Sequence, residues 1–214
     1  MTLKAKICGV STPEAVRAAL EGGAAYLGFA FFANSPRNIA PEAAARLAPP
    51  ARARNVTIVA LAVDPSDAEV EAITTGLAPD LLQLHGQETP ARVREIAART
   101  GLGIIKVLSV AEASDVAAAG AYDGLVEHLM FDAKPPKDAD RPGGLGAPFD
   151  WSLMSGRRFQ RPWFLAGGLN PWNVAEAAKL SGAPMVDVSS GVERGPGLKD
   201  PALITAFLDA VRRA

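Results

Sequence analysis

Four residue types in this chain could do acid–base or anion chemistry, and each stands near the end of a short apolar run or in the loop that follows one. Cys8, the only cysteine, closes KAKICG. A thiolate there could serve as a base or a nucleophile, whereas a neutral thiol is an ordinary small core residue. Asp132 ends the apolar stretch LMFDA. It could cap a helix, or act as a partly desolvated carboxyl that donates a proton. Arg37, in NSPRNI, carries a planar fork matched to a carboxylate, or else lies on the surface. His85, in QLHG, is a candidate substrate contact or a hydrogen-bonded structural residue. Asp187, in MVDVSSG, could hold substrate hydroxyls or pair with an inward lysine such as Lys106.

These residues need a scaffold, and the pattern around them supplies one. Eight apolar runs, at 4–9, 26–32, 56–63, 81–86, 103–109, 124–133, 162–168 and 185–191, alternate with helix-like segments. Such alternation predicts βα units around a parallel sheet. Prolines beside capping residues mark helix starts in STPE (11–14), DPS (64–66), ETPA (88–91), LNPW (169–172) and KDPA (199–202). A proline fits the first helical turn, where its missing N–H would have had no partner. IAPE (39–42) has the proline without a good cap. Eight such units in 214 residues predict a compact α/β (β/α)8 barrel, a TIM barrel, as one domain over 1–214. A dinucleotide-binding sheet is rejected, because the first turn reads CGVSTP rather than a glycine fingerprint.

In a (β/α)8 barrel the site forms where the strands end. Strand alternation places Lys4, Lys6 and Cys8 on one face; if it faces inward, Lys6 lies one layer below Cys8 and favours its thiolate. The turns Gly167-Gly168 and Ser189-Ser190-Gly191 follow strands seven and eight. Their small residues let backbone N–H groups approach an anion, which predicts a phosphate site. The polar, Gly/Pro-rich segment 133–150 is expected to be a long loop on the same face, closing over the substrate.

Composition narrows the classes. A single cysteine forms no internal disulfide, and no Cys/His cluster has zinc-site spacing, so no metal is expected. A formal net charge of −1, with both signs interspersed, argues against a general nucleic-acid binder. The N-terminus lacks the apolar core of a signal peptide, and no apolar run approaches the roughly 18–20 residues of a membrane span. A cytoplasmic protein is expected. Phe32, Trp163 and Trp172 could serve an interface or the core, leaving a monomer or a homodimer open.

Taken in order, KICGV, GFAFFANSPRNI, LLQLHGQE, FDAK followed by GGLG and FDW, LAGGLNPWNV and VDVSSGVERGPGLKD resemble the phosphoribosylanthranilate isomerase family of tryptophan biosynthesis along nearly the whole chain. The resemblance implies a cofactor-free Amadori rearrangement of N-(5-phosphoribosyl)anthranilate to 1-(2-carboxyphenylamino)-1-deoxyribulose 5-phosphate. It implies Cys8 as general base and Asp132 as general acid. It also implies Arg37 on the anthranilate carboxylate, His85 and Asp187 near the substrate, and the turns at 167–168 and 189–191 around the phosphate. Leu145 departs from the family, which often has a hydroxyl residue there. His128 makes the sixth run more polar than the family's. The competing readings are another sugar-phosphate isomerase or epimerase on the same barrel, and an inactive barrel kept as a binding protein.

Overall fold

Residues 2–135, 143 and 148–214 are described by a computed structural model. Eight parallel strands close into a barrel in sequence order: β1 (Lys4–Cys8), β2 (Tyr26–Phe31), β3 (Thr57–Ala62), β4 (Leu81–Leu84), β5 (Gly103–Val110), β6 (His128–Ala133), β7 (Trp163–Leu165) and β8 (Met185–Val188). The ring shuts because β1 pairs with β2 on one side and with β8 on the other.

Alternation along each strand sorts the side chains. Ile7, Leu27, Ile58, Leu82, Ile104, Phe131, Leu165 and Val186 point outward and pack against the helices. Tyr26, Val59, Leu81, Ile105, Val107, Met130, Phe164, Ala166 and Met185 fill the lumen. The period of two forces this division, since successive Cβ atoms face opposite sides of the sheet.

The helices begin where the prolines and caps lie. α1 (Pro13–Glu21) is capped by the Thr12 hydroxyl, and α2 (Pro41–Leu47) starts at Ala40 with no side-chain cap. A short α3 (Pro49–Arg52) follows. In DPS the proline precedes the cap: Ser66 opens α4 (Asp67–Leu77) through a capping box with Glu69. Thr89 caps α5 (Pro90–Thr100), and α6 (Ala113–Ala117) follows β5. In LNPW, the Asn170 carboxamide accepts from the N–H groups of Trp172 and Asn173, making a turn that delays α7 (Val174–Ser181). α8 (Pro201–Arg213), capped by Asp200, packs on α1; a Cβ on Gly22 would lie 2.3 Å from a Leu208 methyl. Fully burying Phe207 and Leu208 there contributes roughly 1.5–3 kcal/mol each.

Two expectations need adjustment. The sixth run becomes strand only at His128, because Gly124 turns at φ +92° and the Asp123 carboxylate accepts from the N–H groups of Gln160 and Arg161. Of the loop expected at 133–150, residues 136–142 and 144–147 lie outside the described residues, and Leu145 is among these. Between β6 and β7 the described helical element is a 3-10 turn, Trp151–Met154. His128 finds its explanation in the lumen, edge-on to Tyr26 at 6.0 Å and to Phe164 at 5.4 Å. Burial pushes its imidazole below the usual histidine range, so it sits there neutral. Trp163 is buried in the core and Trp172 is exposed. Among the described residues, no helix is long and apolar enough to cross a membrane.

Candidate active site

Cys8 ends β1 on the barrel seam, beside the last strand. Register pairs Lys6 with Asp187 across it, so both side chains enter the lumen at one level, and Lys6 Nζ lies 2.9 Å from Asp187 Oδ1. Asp187 is thus the partner of Lys6, while Lys106 is bonded to Glu88 and to the Gly86 carbonyl. Gly28, the register neighbour of Cys8 on β2, leaves the space for this cluster. A Cβ there would lie 3.0 Å from Lys6 Nζ and 3.1 Å from Cys8 Sγ.

The electrostatics around Cys8 depart from the sequence expectation. Burial pushes the thiol above its ordinary range; Lys6 pulls it down and Asp187 pushes it further up. The nearby cation therefore acts in the expected direction, but removal from water outweighs it. Lys6 itself is pulled down by burial and up by Asp187 and Cys8, ending above the usual lysine range. The resting cluster is a thiol above a lysine–aspartate pair.

Arg37 reaches the same pocket from the loop after β2, its chain passing over Gly9, where a Cβ would come within 2.7 Å of Arg37 Cδ. Its fork is engaged by Glu193, with Nε to Oε1 at 2.7 Å and Nη2 to Oε2 at 2.8 Å. Glu193 opens a small antiparallel hairpin, β9 (Glu193–Gly195) and β10 (Leu198–Lys199), after β8. Lys199 returns from its other strand to Glu193 Oε1 at 2.6 Å and to the Ser189 carbonyl at 2.9 Å. Ser189 Oγ in turn donates to the Cys8 carbonyl at 3.2 Å. Burial works against the charge of Glu193, yet Arg37 and Lys199 hold its carboxyl below the usual range. Arg37 and Lys199 thus converge on one carboxylate, and burial pulls the Lys199 ammonium below the usual lysine range.

On the opposite wall, Asp132 ends β6, and its Oδ1 accepts from the Ala133 N–H at 2.8 Å. Its Oδ2 lies 3.3 Å from His85 Nε2, close but without an aligned hydrogen bond. Gly143 lies against this pair: a Cβ there would come 2.7 Å from Asp132 Oδ2 and 2.8 Å from His85 Cε1. Gly167, at φ +85°, is tied to the same place, since a Cβ would sit 2.5 Å from the Ala133 nitrogen. Gly168 also has positive φ, at +66°. The two turns touch, with a Cβ on Gly191 falling 1.9 Å from the Leu169 carbonyl oxygen. Among the described residues, the N–H groups of Gly168, Ser190 and Gly191 have no hydrogen-bond acceptor.

Cys8, Arg37, His85, Asp132, Asp187 and Ser189 line one pocket, together with the apolar Phe32, Leu61 and Val63. Gly167, Gly168, Ser190 and Gly191 lie at the strand ends nearby but are not among its lining. A sequence model of N-(5'-phosphoribosyl)anthranilate isomerase matches residues 5–210. The chain belongs to this isomerase family.

Relatives and solved structures agree over full length. The N-(5'-phosphoribosyl)anthranilate isomerase of Caulobacter vibrioides is 65% identical over 210 residues, covering 98% of this chain and 96% of the relative. That of Caulobacter sp. (strain K31) is 66% identical over 211 residues, 99% of each chain. The Thermotoga maritima phosphoribosyl anthranilate isomerase superposes with a TM-score of 0.87 at 34% identity, covering 100% of each chain. A phosphoribosyl anthranilate isomerase in complex with reduced 1-(o-carboxyphenylamino)-1-deoxyribulose 5-phosphate gives a TM-score of 0.84 at 32% identity, again with 100% coverage of each.

Three side chains of this family member's pocket region escaped the sequence reading. Glu193 and Lys199 look like ordinary loop charges in ERGPGLKD, and only the hairpin brings them to Arg37. Gln83 carried a usable signal: it sits two residues before His85, and alternation puts both on one face of β4.

Proposed function

We propose that this chain isomerises N-(5'-phosphoribosyl)anthranilate to 1-(2-carboxyphenylamino)-1-deoxyribulose 5-phosphate in tryptophan biosynthesis, with Cys8 as general base and Asp132 as general acid. The observation that carries the reading is that these two residues line one pocket, in a chain matched by its family from residue 5 to 210. Asp132, protonated, gives its proton to the furanose oxygen, and the ring opens to an iminium. The iminium acidifies the C2 hydrogen, which the Cys8 thiolate removes, forming an enolamine. Return of a proton from the Cys8 thiol to C1, and loss of the C2 hydroxyl proton to the Asp132 carboxylate, give the ketone and restore both groups, so atoms and charge balance without a cofactor.

The surroundings support each part. Lys6 lies under the sulfur and stabilises the thiolate when it forms. The anthranilate ring fits the apolar wall of Phe32, Leu61 and Val63, with its carboxylate toward Arg37 in the Arg37–Glu193–Lys199 cluster. His85 and Asp187 border the pentose. The N–H groups at 167–168 and 189–191 take the phosphate, and the Ser189 hydroxyl ties β8 to β1 instead. A small phosphorylated substrate, a cytoplasmic setting and a monomer or homodimer accord with this reading.

The test follows fluorescence as freshly generated phosphoribosylanthranilate is consumed. We expect rapid turnover by the wild type and a loss on the order of 10²–10⁴-fold in folded Cys8→Ala. Wild-type consumption no faster than the spontaneous rate would overturn the assignment.

A further inference from the structure

Gln83 lies in the pocket floor and has no part in the chemistry above. It is 1% exposed and lines the pocket beside Cys8, Asp132 and Asp187. Its Nε2 donates only to the Met130 sulfur, at 3.6 Å, and its Oε1 has no hydrogen-bond partner among the described residues. Exchanging the amide's nitrogen and oxygen does not cure the deficit. A thioether donates nothing, so the oxygen would then lie against Met130 unpaired and the nitrogen would take the unpartnered position. In either orientation one end of the carboxamide is unspent.

Stability alone selects against such a residue. Its lumen neighbours include Leu81, Ile105 and Met130, and a buried polar atom without a partner is costly. Methionine would fill the same space with no orphan. The other polar groups of the floor are already engaged, Lys6 with Asp187 and both with the environment of Cys8. A buried, unpartnered acceptor on a side chain that lines the pocket would be satisfied by a ligand that brings a donor.

We infer that Gln83 is a substrate-recognition residue whose carboxamide oxygen accepts a hydrogen bond from a hydroxyl of the pentose chain. The inference rests on the function proposed above. Between the anthranilate at Phe32 and Arg37 and the phosphate at the 167–168 and 189–191 turns, the pentose crosses the pocket over this floor. Ring opening also turns the furanose oxygen into a new hydroxyl there. Gln83 touches substrate without exchanging a proton with it, so its contribution is to hold the opened chain over Cys8.

Gln83→Met is the test, because it keeps the volume and removes both polar ends. Three quantities are measured: the thermal midpoint without ligand, kcat/KM for phosphoribosylanthranilate, and the Kd of reduced 1-(o-carboxyphenylamino)-1-deoxyribulose 5-phosphate, which retains a hydroxylated chain. We expect an unchanged or higher melting temperature, kcat/KM lower by on the order of 10–100-fold, and a Kd higher by a similar factor. Folded Gln83→Met with kcat/KM and Kd within twofold of wild type would overturn the inference. So would a large fall in melting temperature with Kd unchanged, which marks a structural prop. Gln83→Leu supplies the same comparison if the methionine variant does not fold. Failure of the underlying function is distinguishable, because the wild type itself would then neither turn over the substrate nor bind the analogue.

Discussion

The two walls of the pocket are built on opposite terms. On the β1–β8 side the charges have partners inside the protein: Lys6 with Asp187, and Arg37 and Lys199 with Glu193. On the β4–β6 side, Gln83 Oε1 has no partner among the described residues, and His85 Nε2 lies 3.3 Å from Asp132 without an aligned bond. Buried polar groups are normally satisfied, so unspent capacity on one wall marks where a ligand completes the structure. The paired wall is organised in advance, which lets it supply field without rearranging during the reaction.

The contrast can be broken most severely at the open wall. Asp132→Asn keeps the shape and removes the proposed acid, so kcat is expected to fall by on the order of 10²–10⁴-fold while the melting temperature stays near that of the wild type. Parallel kinetics and thermal melts check both halves. A melting temperature that falls along with activity would place Asp132 among the structural residues.

The paired wall answers differently. Lys6→Met leaves Asp187 buried without its cation, and breaking such a pair costs about 3–5 kcal/mol. Chemical denaturation measures this, and adding Asp187→Asn restores part of the loss by removing the stranded charge. The same substitution bears on the base. Burial holds the Cys8 thiol above its ordinary range, so kcat/KM rises with pH through neutrality and is still rising in the alkaline range. Lys6 pulls that thiol down, so a folded Lys6→Met moves the rising limb to higher pH. A limb that stays in place would remove Lys6 from any role in the base.

Smaller effects come from the hairpin. Glu193→Gln weakens the bidentate contact to Arg37, and KM rises several-fold more than kcat falls if Arg37 has the proposed role of orienting substrate without reacting. Steady-state kinetics separate the two constants. The variant also changes acid stability. Glu193 is held below its ordinary range in the folded state, so its contribution is complete above the usual glutamate pKa and disappears as pH falls through the depressed one. Between about pH 5 and pH 3 the melting temperature of Glu193→Gln falls less steeply than that of the wild type. Equal slopes would show that the carboxylate adds nothing to stability.

The same contrast governs how much could be read from the sequence. Eight apolar runs and proline-marked helix starts are local signals, and they specify the barrel and the strand ends that carry Cys8, His85, Asp132 and Asp187. Alternation also puts Lys6 beneath Cys8. Partnership was not legible. Asp187 pairs with Lys6 and not Lys106 because closure sets β1 against β8 in that register. Arg37 and Glu193 are 156 positions apart and meet through two loops whose path no periodicity records. Nor does a list of residues reveal that burial overrides Lys6 at the thiol, since that balance depends on how completely the seam excludes water.

The seam also sets when the enzyme comes into being. Lys6 and Asp187 stand 181 positions apart, and the first strand gains its second neighbour only when the last one arrives. A nascent chain that has made seven strands holds its cysteine without the aspartate beneath it, the second turn or the hairpin that steadies Arg37. Premature termination anywhere before the eighth strand is therefore expected to yield an inert product, and turnover reports that synthesis has passed that strand and its hairpin.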